Sequence, residues 1–464
     1  MILDNKSTRA LNFFTAQMVK ISRAGMIQLA VLALLLLGGL YALIIQIVDG
    51  HIVTGMRDNV VWGIYIANFI FFIGISYAGA LISGILHLLR VPWRVPIIRI
   101  AEIITVISTL IGPAYILLCM GRLDRIHHLP LYGRIQSPIV WDVLAITTYL
   151  IGSIIFLYLA SIRDLAALRD FDFKSGWRKK VYKFMAIGFN NTPKQNRYLN
   201  QGLDIMSAII IPLAILVHSV LAWIFGMTLR PGWHSTIFAP YFVVAAVFSG
   251  TGVLIMAMWA FRKYYHLESY ITKIHFNYLG TILMILGALY GYFTFSEYLT
   301  SWYGSEKWDM EVLYKLFDPN EYWGWFFFAA ILGVILPVIV ILVPKFRNIN
   351  SITAVSAVAV FALWVKRYLI IIPTLETPLL PLQDMRSEYI RYEATYVEWL
   401  LTIAGVALFC LLFFLFSKFL PIVPVVHVKE GKNYAELRKV SMKEKVKKAL
   451  RQREQEEALK IEEL

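Results

Sequence analysis

The sequence predicts an all-α integral membrane protein that crosses the bilayer about ten times. Three observations carry that expectation. Of 464 residues, 59% are hydrophobic and only 16% are charged, where soluble domains average about 25% charged. The mean hydropathy is +0.65. The apolar residues also fall into ten long runs, each near the roughly 20 residues that a membrane-spanning helix needs. Backbone facing lipid must satisfy its own N–H and C=O groups within the segment, so each run is expected to be a helix.

The elements follow in order. Residues 1–26 form an N-terminal arm without an early apolar stretch, so no cleaved signal peptide is expected. The first span, 27–48, and its outer loop occupy 27–59. Residues 60–228 hold spans 61–88, 97–119, 138–161 and 203–226. Residues 229–375 hold spans 236–261, 276–299, 322–343 and 351–373, the last interrupted by Lys366 and Arg367. An outer loop and the tenth span, 395–419, occupy 376–420. The basic tail, 421–464, is charged and helix-prone and is expected to lie on the surface as a helix or an extended arm.

A repeat groups the middle spans. IANFIFFIGISYAGALIS (66–83) and FAPYFVVAAVFSGTGVLI (238–255) share an Ala-x-aromatic start and a small-residue patch, Ala78-Gly79-Ala80 against Gly250-Thr251-Gly252, at an offset of 172. Small residues let helices approach closely. Spans 2–5 and 6–9 are therefore expected to form two parallel four-helix bundles, with spans 1 and 10 flanking; chance likeness between apolar helices is the alternative.

Lys and Arg set the orientation. With the N-terminus inside, the inner segments carry 32 and the outer loops nine. Both termini are thus expected on the cytoplasmic side of the cell's inner membrane. The formal charge of +14 resides in those loops and the tail, so it argues for lipid headgroups and not for nucleic acid. The two cysteines, Cys119 and Cys410, lie in apolar segments with no CxxC or CxxCH. No iron–sulfur cluster, haem or metal bound by this chain is expected. The longer outer loops, 300–321 and 374–394, are acidic, and read either as solvated loops or as a docking surface for a peripheral subunit.

Ionisable residues inside spans are functional candidates by default. Toward the outer side lie Tyr65, Asn68, His127, His128, Asp142, His218, His234, Glu297, Lys366, Arg367 and Glu398. Toward the inner side lie His87, Arg99, Glu102, Asp204 and His275. The outer set has the acids, bases and cations that quinol oxidation needs, since the ring must hand over two protons with its two electrons. Interfacial His and Asp are also common at headgroup level without a function. Arg367 needs a partner, for which Asp142 and Glu398 are candidates. Arg99 and Glu102, three apart on one helix, either pair with each other or join Asp204 in a proton path.

The run WGIYIANFIFFIGISYAGALISGILHLLRVPWRVPIIRIAE (62–103) resembles the NrfD/PsrC family of quinone-interacting membrane subunits. SPIVWDVLAITTYL (137–150) and GWHSTIFAPYFVVAAVFSG (232–250) do so too. The last of these, with VHSVLAW (217–223) and WVKRYLIIIPTL (364–375), is most similar to the ten-helix C-subunit branch of alternative complex III. The resemblance implies two four-helix bundles with flanking helices and no redox centre in this chain. It implies menaquinone or ubiquinone as substrate near the outer face, and electron exchange with a peripheral iron–sulfur subunit there. A multihaem c-type cytochrome or a molybdopterin-type subunit would follow; a second NrfD-like membrane subunit is a further expected partner, and proton translocation is expected separately, from the polar groups on the inner half. It implies a quinone site that uses Asp142, in the WD motif, and Arg367, in the KR motif, as catalytic candidates, to which the residues themselves add His128. Cys119, Arg122, His127, Asp142, His218, His234, Tyr65 and Asn68 would line the quinone. Glu102, Arg99 and Asp204 would form the proton path. Where the family often has His-x-Gly-Arg, this chain has Cys119-Met120-Gly121-Arg122, so His127 or His128 would have to replace the missing His. Two other classes compete: a b-haem anchor, with His218 and His234 or His87 and His275 as ligand pairs, and a secondary transporter with midplane polar sites.

Overall fold

The computed structural model describes residues 5–171, 173, 176–228, 230–378 and 391–424. Ten helices in it are long and apolar enough to cross a membrane. They are α1 (Arg23–Asp49), α2 (Gly63–Leu88), α3 (Val95–Cys119), α4 (Pro138–Arg169) and α5 (Pro193–Gly226), then α6 (Phe238–Tyr264), α7 (Lys273–Gly304), α8 (Trp323–Leu342), α9 (Ile349–Leu375) and α10 (Tyr396–Phe419). All ten expected spans are present. α4 runs past its expected end and α5 begins ten residues before its expected start, because polar residues on the terminal side of each apolar stretch continue the helix. Local signals start several helices. Ser22 accepts from Gly25 N–H, Thr192 and Gln195 make a capping box, and Asn348 accepts from Ser351 N–H. α8 contains a π-helical segment, Phe328–Ile335, just before Pro337. Proline lacks the N–H that would continue the ladder, which favours such a local widening.

The helices close into two rings. α2, α3, α4 and α5 pack in a cycle, and α6, α7, α8 and α9 pack in a second. α1 and α10 pair with each other and lean on α3 and α2. This is the two-bundle arrangement that the repeat foretold. The rings meet where α2 crosses α6. A Cβ built on Gly74 would lie 3.8 Å from Ala246, and these two positions are 172 apart, the offset of the sequence repeat. α2 and α6 are correspondingly the most buried spans, while α1 is the least buried.

Small residues set the closest contacts. At Gly79 a Cβ would come within 2.3 Å of the Ala101 carbonyl, so α2 and α3 touch backbone to backbone. At Gly39 it would come within 2.2 Å of Ala404 Cβ, which brings α1 against α10. Helix association in lipid depends on such van der Waals contact. The first and last described helices begin and end at one end of the molecule: Lys418 Nζ donates to the Gln17 and Lys20 carbonyls, 3.0 Å each, and Gln17 Nε2 donates to the Tyr265 carbonyl at 2.7 Å. This end is called the terminal face below, and the opposite end the far face.

Candidate functional site

The candidate residues sit at four levels and do not form one cluster. At the rim of the far face, His127 and His128 are exposed, their rings edge to face at 4.5 Å. Arg122 is exposed and forks onto Asp124 at 3.0 and 2.9 Å. That bond holds the Asp124 carboxyl below its usual range and raises Arg122. His234 is exposed and bonds the Arg230 carbonyl through Nδ1 at 3.1 Å.

Just inside the far face, the α4 stripe Asp142, Ala145, Ile146, Tyr149, Ser153 and Phe156 is buried at helical spacing. Asp142 lies four residues into α4, about 6 Å along its axis. It is 5% exposed and its Oδ1 has no hydrogen-bond partner. Cys119 is half-buried and its Sγ–H donates to the Ile116 carbonyl at 3.2 Å. Tyr65 and Asn68 are already satisfied by protein. Tyr65 Oη donates to Gln46 Oε1 at 2.6 Å. Asn68 donates to Thr402 Oγ1 and accepts from Trp364 Nε1, both at 2.8 Å. Those two residues tie α2 to α1, α9 and α10.

His218 and Arg367 lie deeper. Each stands eight residues before the end of its helix, about 12 Å in. α5 and α9 are corresponding members of the two rings, so both side chains flank the α2–α6 crossing from matching positions. His218 is fully buried, with its ring 4.6 Å from Tyr77. Its ring nitrogens face the Ala214 and Ile73 carbonyls but miss good hydrogen-bond geometry. The Arg367 guanidinium lies 5.2 Å over the Phe242 ring, and its Nε and Nη1 have no acceptor. The partners suggested for it, Asp142 and Glu398, are not its partners. Glu398 instead accepts from Gly55 N–H (2.7 Å), Tyr392 Oη (2.6 Å) and Thr395 N–H (2.9 Å), which seals the far end of α10 against the loops. Tyr241 and Tyr290 stack beside Arg367 and share a hydroxyl bond at 3.2 Å.

On the terminal side, Arg99 pairs with Asp164 at 2.8 Å, both nearly inaccessible, and also donates to the Ala160 and Pro421 carbonyls. The expected Arg99–Glu102 pair does not form. Glu102 accepts from Ser83 Oγ at 3.1 Å, and its Oε2 is unpartnered. Arg99, Glu102 and His87 line a cleft of about 30 Å³ at this end of the first ring. Asp204 stands beside it, bonded to His87 (3.1 Å) and Arg90 (3.3 Å). Between Glu102 and Asp142 the ring interior is polar: Thr105 Oγ1 and Tyr149 Oη both donate to the Ser76 carbonyl at 3.0 Å.

The second ring holds its own polar pocket, of about 50 Å³, near the far face. Lys366 and Glu297 line it. Lys366 Nζ donates to Tyr298 Oη and Glu297 accepts from Ser235 at 2.8 Å. The helix Lys307–Phe317 roofs this end. Its Lys315 donates to the Glu376 carbonyl (2.8 Å), and the Glu376 carboxylate accepts from Tyr322 Oη (2.9 Å) and Tyr392 N–H (2.7 Å). Burial raises the Glu376 carboxyl and lowers Lys315. The described parts of the acidic outer loops are thus knitted together and not simply solvated. Most of 374–394 lies outside the described residues.

Sequence reasoning missed Asp164, Tyr77, Tyr149 and Gln46. For Asp164 the signal was there, since the buried α4 stripe continues at helical spacing beyond residue 161.

The NrfD polysulphide reductase family model matches residues 52–378, which includes both rings. The chain belongs to the NrfD family. Three curated proteins are similar to this chain. A Halobacterium salinarum protein assigned as the membrane-embedded C component of a dimethyl sulfoxide reductase is 31% identical over 49% of this chain, and the chain spans about half (50%) of that relative's length. The C component of selenate reductase from Mesobacillus selenatarsenatis is 22% identical over 82% of this chain and 91% of its own. The Hdr-like menaquinol oxidoreductase integral membrane subunit of Archaeoglobus fulgidus is 23% identical over 81% and 88%. Each is named as part of an oxidoreductase.

Proposed function

We propose that this chain is the quinone-binding membrane subunit of a respiratory oxidoreductase, that it oxidises quinol at the far face, and that the far face is the outer side of the cytoplasmic membrane. The observation that carries the reading is Asp142: a buried carboxylate with a free oxygen, at the far end of a ring whose interior is polar along its length. A quinol hydroxyl needs such an acceptor when it gives up its proton. Cys119 lies at the same end of the ring but is a poor proton acceptor. His127 and His128 stand at the rim, placed to take up protons that leave the site. The electrons pass to a peripheral iron–sulfur subunit docked on the far face. From there they go to a multihaem cytochrome or a molybdopterin-type subunit, as in complexes of the alternative complex III kind.

His218 and Arg367 act below the quinone and not on it. They are mid-depth polar groups that link the site to the terminal side. Asp142, Tyr149, the Ser76–Thr105 contact, Glu102 and the cleft beside His87 and Asp204 mark a route for protons through the first ring. The b-haem reading is less well supported, because His218 faces Tyr77, His87 bonds Asp204 and His275 caps its own helix.

The test uses the intact complex in sealed vesicles, with quinol oxidation and proton release followed together. Asp142→Asn should abolish quinol turnover with assembly unchanged. Glu102→Gln should leave turnover largely intact and alter proton release. Normal turnover in the Asp142 variant would sink the site assignment.

A further inference from the structure

We propose that His234, Glu306 and Asp309 bind one divalent transition-metal ion on the far face of the second ring. One ligand atom from each lies within 4.8 Å of the other two, so side-chain movements of up to about 0.8 Å, within reach of surface rotamers, bring all three to bonding distance of about 2.0–2.2 Å from a common ion.

The three residues come from two segments that are far apart in the chain. His234 belongs to the connection between α5 and α6. Glu306 and Asp309 open the helix Lys307–Phe317 after α7. Two of the ligands are oriented from outside the trio. The His234 ring is held at Nδ1 by the Arg230 carbonyl. A ring that donates Nδ1–H to a carbonyl keeps Nε2 as a free lone pair, the arrangement usual in metal-bound histidine. Asp309 Oδ1 accepts from Gly232 N–H at 2.9 Å, which leaves Oδ2 available.

Charge favours a cation here. Asp309 shares the pocket beneath with Glu297, so three carboxylates gather around one mouth. Lys366, on the pocket floor, bonds Tyr298 and faces Glu297, and Lys307 lies over the Trp308 ring at 4.5 Å. No Lys or Arg forms an ion pair with Glu306 or Asp309 among the described residues. One imidazole with two carboxylates suits zinc, iron or manganese better than magnesium or calcium, and three protein ligands leave further positions to water.

The ion would be a clip. It would pin the α5–α6 connection to the roof helix directly over the Glu297–Lys366 pocket. Trp233, next to His234, already anchors that connection, with its Nε1–H on the Ile370 carbonyl at 2.8 Å. This inference is independent of the quinone reading.

The experiment titrates the full-length chain in detergent, stripped with chelator, with Zn²⁺, and then with Mg²⁺. Wild type should bind one Zn²⁺ and unfold at a higher temperature with the metal than without it. His234→Ala, and separately Glu306→Gln with Asp309→Asn, should weaken binding at least about tenfold, since even groups that only orient a ligand cost that much when removed. His127→Ala with His128→Ala, the other exposed histidine pair, should leave binding unchanged. Equal affinity in wild type and His234→Ala overturns the site, as does loss in the His127/His128 variant instead. Mg²⁺ binding as tight as Zn²⁺ overturns the assignment to a transition metal.

Discussion

Removing Asp164 should destabilise the first ring through a charge left behind in the core. Arg99 and Asp164 expose 1% and 2% of their side chains and meet at 2.8 Å. Breaking such a buried pair by deleting one partner costs about 3–5 kcal/mol. Here the guanidinium keeps two carbonyl acceptors, Ala160 at 3.0 Å and Pro421 at 3.3 Å. Those bonds place Asp164→Ala at the lower end, about 3 kcal/mol, or roughly a hundredfold in the folded-to-unfolded ratio. Glu102 adds a twist, because its Oε2 is unpartnered and it lies three residues from Arg99 on the same helix. In the variant the guanidinium can swing to it and recover part of the loss. Adding Glu102→Gln to Asp164→Ala should therefore cost more than the two changes apart. Replacing both members of the pair, Arg99→Met with Asp164→Leu, should be close to neutral, since no charge remains to be buried. Equilibrium unfolding in mixed micelles, followed by pulse proteolysis, reads all these variants. If Asp164→Ala unfolds with wild type while the paired apolar replacement is the least stable, the buried-charge reasoning is wrong.

Two further predictions concern packing and the far-face cap. Gly79→Ala should push α2 from α3 and cost about 1–3 kcal/mol by overpacking, because the new methyl meets a backbone carbonyl. Gly202→Ala, where the nearest atom is 3.9 Å away, should be neutral or slightly stabilising through helix propensity; the same unfolding assay compares them. Glu376 is raised by burial, so the folded chain holds its proton more tightly than the unfolded one. Its contribution is complete below the unfolded carboxyl value, near about 4.3, and is lost as pH rises through the higher folded value. Melting temperature against pH should fall across that window in wild type and flatten in Glu376→Gln; parallel curves would show that Glu376 does not set the slope.

Much of the architecture is legible in the chain because lipid imposes simple rules. Apolar length reports the spans directly, and every expected span is a helix. The repeat at offset 172 anticipates the two rings, and only the packed helices show that Gly74 and Ala246, at the same offset, lie where the rings cross. Asp142 stood out in the sequence as an acid inside a span, but the buried face of α4 did not, because its exposed face, with Val143, Leu144, Ile151 and Ile154, is just as apolar. What a helical run does not reveal is its rotation against its neighbours, and that decided the partners. Arg99 turns toward Asp164 on α4 and away from Glu102 on its own helix. Glu398 caps its own helix and seals loops, leaving Arg367 to an aromatic face. Tyr65 and Asn68 are ties between helices because their polar atoms bond to groups on other helices. Depth behaved the same way: His218 and Arg367 lie well inside their helices and converge on the crossing only because the two rings close around it. Periodicity and hydropathy are properties of one segment, whereas pairing, satisfaction and shared depth are properties of several segments packed together, and only the packed rings could assign them.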